Sequence, residues 1–228
     1  MTYLNRVVRV AEEKDRRVVY VEPDSRHALL IVKDLGLEGS KGVDTPAEKK
    51  SSEQQMADAE SPQLERGDAL LYRSVTMRGA YLAQDRPDLS NTTKGLARHM
   101  QQPNTAALGR LKRFGRYLIN HPSVVRRFDE QRLPDKIKVL VDSDHAGCAV
   151  TRRSTTGMIV RFGRHCCKHS GNLQTGITLS SGESEYGALV KGASTGLGIQ
   201  SLLADLGLDV QVEVLSDSSA ARGHVARR

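Results

Sequence analysis

The chain has 228 residues, with 34 Lys and Arg against 27 Asp and Glu and a formal net charge of +7, an excess that suits a polyanionic partner, nucleic acid before an anionic membrane. No run approaches the roughly 18 apolar residues that a membrane helix needs, and Met1 to Val10 lacks the apolar core of a signal peptide. Three cysteines argue against a disulfide framework and for a reducing, intracellular compartment, cytoplasmic or nuclear.

Residues 1–45 read as a small folded piece. Tyr3 to Val10 and Arg17 to Val21 are β-rich and flank a charged turn at Glu12 to Asp15, which predicts a hairpin. Pro23-Asp24-Ser25 then opens a helix to about Leu35, with Ala28, Leu29, Ile31 and Val32 on its apolar face and Gly36 as its stop. Residues 46–68 are polar, with Met56 and Leu64 the large apolar exceptions, and predict a disordered linker.

Residues 69–133 predict a helical segment. One helix runs from Ala69 to Gln84, a second from about Leu89 to His99, and a third from Asn104, a good N-cap, to Leu118. On the third, Leu108, Leu111, Phe114 and Leu118 form the inner face. Arg110, Lys112, Arg113 and Arg116 cover the remainder, with Arg126, Arg127 and Arg132 close behind. A charge run of this kind is either a solvated helix face or a phosphate-contacting surface, and Arg110, Arg113 and Arg116 are candidates for the latter.

Residues 134–228 change rhythm. Strands are predicted at Ile137 to Val141, Gly157 to Phe162 and Arg164 to His169, the last continuing or extending through Gln174 to Leu179. A long helix from Gly182 to Leu206, a strand from Val210 to Leu215 and a helix from Ser218 follow. The order β-β-β-α-β-α is a mixed α/β arrangement. Cys166 and Cys167 lie between His165 and His169 but match no usual zinc spacing.

Three acids stand at the ends of these elements. Asp142 ends the first strand, Asp217 ends the fourth, and Ser180-Ser181-Gly182-Glu183-Ser184-Glu185-Tyr186 opens the long helix. Each has an ordinary local explanation. Asp142 to Gly147 reads as an Asp-rich turn, Asp217 as a helix N-cap, and Glu185 as an exposed first-turn acid. If the first and fourth strands pair and the helix packs across them, the three acids meet instead. Clustered carboxylates repel unless cations neutralise them, and hard oxygen ligands favour Mg²⁺ or Mn²⁺. Glu183 stands at capping-box spacing from Ser180. Glu185 shares a side with Tyr186, Leu189 and Ala193 and is therefore the glutamate assigned to the cluster.

The blocks Asp142-Ser143-Asp144-His145-Ala146-Gly147-Cys148, Thr151-Arg152-Arg153-Ser154-Thr155-Thr156-Gly157, Leu179 to Leu189, and Ser216 to Ala221 occur in an order that resembles the ribonuclease H domain of copia-type retrotransposon polyproteins. In that family the blocks read approximately SDADWAG, TRRSTSG, LSSTEAEYIAL and CDNQSAI. Upstream, Tyr72 to Asp88 and Leu111 to Leu118 look like the segment that connects reverse transcriptase to ribonuclease H, and residues 1–45 look like the reverse-transcriptase tail.

The resemblance implies a ribonuclease H-like mixed sheet with flanking helices, preceded by a small α+β and helical segment. It implies hydrolysis of the RNA strand of an RNA/DNA hybrid, with Asp142, Glu185 and Asp217 as catalytic and metal-binding residues for two Mg²⁺ or Mn²⁺ ions. Asp144 takes a secondary role, and Arg152 and Arg153 of the second block join the candidate nucleic-acid contacts. The reverse-transcriptase part of the same polyprotein would be the partner in the parent element. The chain departs from the pattern at His145, where the family has Trp. The fourth acidic ligand is expected beyond Arg228, so the ribonuclease H-like domain reads as C-terminally truncated. The polymerase palm and its aspartates have no counterpart, which excludes polymerase activity. The alternative is a catalytically inactive remnant that keeps the fold and binds nucleic acid through the basic helical surface.

Overall fold

A computed structural model describes residues 1–226. The chain divides into two compact units, one from Met1 to Glu130 and one from Gln131 onward.

The first unit begins with strands β1 (Thr2–Tyr3), β2 (Arg6–Glu13) and β3 (Arg16–Glu22), paired antiparallel. Lys14 and Asp15 form the β2–β3 turn, both at positive φ, the handedness a two-residue hairpin demands. Helices α1 (Arg26–Asp34), α2 (Ser52–Ala59), α3 (Arg66–Leu82), α4 (Pro87–Ala97) and α5 (Thr105–Asn120) follow. Their apolar faces bury Ile31, Tyr72, Val75, Leu89, Leu111 and Phe114 in one core. Asn104 caps α5 by accepting the N–H of Ala107 at 2.9 Å. A short strand β4 (Arg126–Asp129) then adds to the free edge of β3.

Residues 46–68, expected as a disordered linker, carry α2 instead. Ser51 and Gln54 close a reciprocal capping box at its start. At its other end Asp58 receives Lys50 and Arg110, each at 2.6 Å, and Asn104 donates to the Asp58 carbonyl at 2.7 Å. Farther on, Leu64 packs on the core. No side chain of α2 is buried, so the helix is held by polar anchors from α5 that local composition does not display.

The second unit contains β5 (Lys136–Asp144), β6 (Thr155–Phe162), β7 (His165–Leu173), α6 (Ser181–Asp205), β8 (Gln211–Leu215) and α7 (Ser219–Ala226). The sheet order is β7-β6-β5-β8, antiparallel except for the parallel β5–β8 pair. Gln174 to Leu179, expected to continue the third strand, is a loop. The Gln174 side chain donates to Thr156 Oγ1 at 3.0 Å and to the Ser184 carbonyl at 2.9 Å, which turns the chain out of the sheet toward α6. The chain as a whole is mixed α/β, with two four-stranded sheets and seven helices among the described residues.

Along β5, Ile137, Val139 and Val141 alternate inward and pack beneath α6 with Met158, Val160, Ala188 and Leu189. The helix lies very close to the sheet because it presents Gly192 and Gly196. A Cβ at Gly192 would stand 2.5 Å from Val141 Cγ1, and one at Gly196 would stand 2.5 Å from Val212 Cγ1. Two glycines therefore set the spacing of α6 over β5 and β8, and with it the height of the helix's first turn above the strand ends.

Candidate metal centre

Asp142 sits two residues before the end of β5, opposite Gly157 of β6. The neighbouring strand β8 pairs with β5 only as far as Leu215 opposite Leu140, so Asp217 follows just past its end. Parallel pairing brings both strand ends to the same side, and α6 starts there. Asp142, Glu185 and Asp217 each offer one carboxylate oxygen, and these oxygens all lie within 4.8 Å of one another. Among the described residues this is the one group of three or more acidic, His or Cys side chains close enough to share an ion.

The local alternatives for two of these acids are occupied by neighbours. Ser218, not Asp217, caps α7, accepting the N–H of Ala221 at 3.2 Å. Ser180 caps α6 by accepting the Glu183 N–H at 3.1 Å, and Glu183 in turn accepts the Leu179 N–H at 2.7 Å. Glu183 is thereby committed to the helix start, and Glu185, one step inward, points under the helix at only 6% exposure.

Glu185 is anchored by one oxygen. Its Oε1 accepts the Ser143 N–H at 3.1 Å, while Oε2 is buried without a hydrogen-bond partner. Burial is the main cause that pushes its pKa above the ordinary carboxylate range. The Ser143 contact opposes the shift, and the charges of Asp142 and Asp217 add to it. An orphaned, buried carboxylate oxygen beside two exposed carboxylates is a poor arrangement for a bare protein, since such groups are normally satisfied. It is the donor set that a hard divalent cation requires, namely anionic oxygens without sulfur or nitrogen.

The remaining sequence candidates fall in different places. Asp144 accepts the N–H of Thr155 across the mouth of the β5–β6 connection, and a Cβ at Gly147 would collide with its carboxylate, so Asp144 ties down the turn. Ala146 at the tip has positive φ and donates its N–H to Ser154 Oγ at 3.0 Å. Arg152 and Arg153 are exposed on this same connection, at the end of the sheet where Asp142 lies. On α5, Arg110 pairs with Asp58 and Arg113 with Glu48, each at 2.6 Å. Arg116 is exposed. Two of the three candidate arginines of α5, Arg110 and Arg113, are thus spent on Asp58 and Glu48, which argues against reading all of the run as a phosphate surface.

Three contributors to the site escaped the sequence reading. Ser143, Ser184 and Gln174 stitch the strand end, the helix start and the preceding loop together. The one available signal was the recurrence of serine at 180, 181 and 184, which places polar groups on both the capping and the inward side of the first turn.

Comparison with known proteins is informative for sequence alone. No family model matches the chain, and no solved structure matches it. An uncharacterized mitochondrial protein of Arabidopsis thaliana, AtMg00810, is 34% identical over 121 residues, 52% of this chain and 49% of that protein. The retrovirus-related Pol polyprotein from transposon RE1 of the same plant is 34% identical over 140 residues, 60% of this chain and 9% of the polyprotein. The corresponding polyprotein from transposon RE2 is 34% identical over 139 residues, 61% of this chain and 10% of its own length. The chain thus spans about half the length of the first relative and about a tenth of the other two. Among the described residues no helix is long and apolar enough to cross a membrane.

Proposed function

The chain is a relative of copia-type retrotransposon Pol polyproteins, and on that footing we propose that its second unit is a ribonuclease H-like nuclease domain that hydrolyses the RNA strand of RNA/DNA hybrids. The observation that carries the reading is the convergence of Asp142, Glu185 and Asp217 within 4.8 Å, with Glu185 Oε2 buried and unpartnered. These three side chains would hold two Mg²⁺ or Mn²⁺ ions. Bound ions of this class supply a water nucleophile at neutral pH and positive charge at the leaving oxygen of a phosphodiester.

The chain's own residues do the rest. Asp142 and Asp217, exposed at the strand ends, present their carboxylates toward solvent, where a phosphate can approach. Glu185 holds the inner position from beneath the helix. Arg152 and Arg153 stand on the connection at that end of the sheet and would meet the flanking phosphates of the substrate, where cations contribute affinity and register without reading sequence.

The test is cleavage of a labelled RNA/DNA hybrid by the full chain in Mg²⁺ and in Mn²⁺. Cleavage of the RNA strand is expected, lost on Asp142→Asn by about a hundredfold or more. An intact hybrid at high protein concentration with both ions refutes the proposal.

A further inference from the structure

The strand end of β5 is gripped twice by the start of α6, at Ser184 and Glu185. The backbone N–H of Ser143 donates to Glu185 Oε1 at 3.1 Å, and the side chain of Ser143 donates to Ser184 Oγ at 2.8 Å. Ser184 is fully buried, and its own hydroxyl proton goes to the Ser181 carbonyl at 2.8 Å. The chain of donors therefore runs in one direction, from Ser143 Oγ to Ser184 Oγ to the helix backbone, with each acceptor used. Because β8 stops opposite Leu140, β5 has no strand beside Ser143 on that edge, and the helix takes over the N–H that a strand would otherwise bind.

We infer that Ser143 is a positioning residue for the metal centre: its two bonds to Ser184 and Glu185 at the start of α6 hold Glu185 in a one-oxygen pose, with Oε1 spent on the Ser143 N–H and Oε2 turned toward the ion. A carboxylate free to rotate would offer either oxygen or both, and would lose that freedom on binding. Here the rotor is fixed before an ion arrives, which is how partners of metal ligands raise affinity. The inference rests on the nuclease reading only in its choice of ion. The grip itself is a property of the bare protein.

The experiment compares Ser143→Thr with Ser143→Val in the full chain. The two side chains have the same branching and nearly the same volume, both suit a strand, and they differ in the hydroxyl. Two readouts are taken: amide hydrogen exchange at residue 143 without metal, and Mn²⁺ affinity from the free-ion paramagnetic resonance signal. With Thr, both stay at the wild-type values. With Val, exchange at residue 143 quickens, and Mn²⁺ affinity falls by about tenfold, the scale of lost outer partners. Ser184→Ala removes the same bond from the helix side and is expected to reproduce the Val result.

Equal behaviour of Thr and Val in exchange, or equal Mn²⁺ affinity despite a change in exchange, overturns the inference while leaving the metal centre standing. A wild-type chain that binds no Mn²⁺ yet shows the exchange difference overturns the metal centre and the ion-directed role of Oε2, and keeps Ser143 as the residue that fixes the carboxylate. Neither binding nor an exchange difference removes both.

Discussion

The closeness of α6 to its sheet is the feature on which the three-acid geometry depends, and Gly192→Ala tests it. The added methyl would stand 2.5 Å from Val141 Cγ1, 3.3 Å from Val214 Cγ1 and 3.4 Å from Val139 Cγ1. Carbon atoms rest at about 3.5–4.0 Å, so the helix must lift by about 1 Å or the valines must leave their rotamers. Overpacking of this kind costs about 1–3 kcal/mol, while replacing a mid-helix glycine by alanine returns about 1 kcal/mol of helix propensity. The net expectation is a loss of about 0–2 kcal/mol. Stability therefore changes modestly, but Glu185 rides on the same helix, and a displacement of about 1 Å in a reacting constellation is worth about a hundredfold in rate.

Gly198→Ala is the control. It lies on the same helix with nothing within 4 Å of its Cβ position, and it should gain up to about 1 kcal/mol with the site intact. Urea denaturation gives the stabilities, and Mn²⁺ binding with hybrid cleavage reads the site. If Gly192→Ala is as stabilising as Gly198→Ala and leaves ion affinity and cleavage unchanged, the helix is not pressed on the sheet and the spacing argument is wrong.

Three further outcomes follow from the same geometry. Because Glu185 has its pKa raised by burial and by Asp142 and Asp217, its stabilising share is present below the ordinary value of 4.5 and is lost as pH rises through the raised one. Glu185→Gln should therefore raise the metal-free urea midpoint at pH 7 but not at pH 4, and Mg²⁺ should stabilise wild type alone; a midpoint at pH 7 that falls on substitution contradicts the assignment. His99 runs the other way: burial and the nearby Arg110 and Arg98 hold it down to about 4, so it favours the fold above its ordinary value of 6.5 and loses that share as pH drops toward 4. His99→Gln should flatten the pH dependence of the midpoint across that window, and an unchanged slope would count against it. Finally, replacing Arg152 or Arg153 by Ala should weaken hybrid binding and reduce the salt slope by about one each, while Arg110→Ala should lower stability and leave the slope alone, as judged by binding titrations at several salt concentrations.

The second unit was largely legible because its elements announce themselves locally. Ile137 to Val141 and Gly157 to Phe162 are rich in β-type residues, the Ser180 cap marks the start of α6, and their order limits the topologies. The acids could be placed because two sit at strand ends and one sits a fixed step beyond a cap. What was lost depends on distant partners. Arg110 looks solvated until Asp58, 52 residues earlier, is seen to receive it. β4 is four residues of mixed charge that become a strand because β3 offers an edge. Ile177 and Leu179 look strand-like, but both are exposed in the loop that Gln174 bends away from the sheet. The serine pair 143 and 184 is silent in sequence, since a hydroxyl does not reveal which hydroxyl it meets.

The alternation along β5 has a consequence for how this chain can drift. Ile137, Val139 and Val141 face the helix, and the odd–even count alone decides that Asp142 does not. Substitutions on either face leave that count intact, so the strand can change composition and still deliver its carboxylate. A single residue gained or lost between Lys136 and Asp142 would exchange the two faces from that point on, sending an acid into the aliphatic layer and a valine to the strand end. Length within this strand, more than the identity of most of its residues, is therefore the quantity that lineages of the chain must keep fixed for the site to persist.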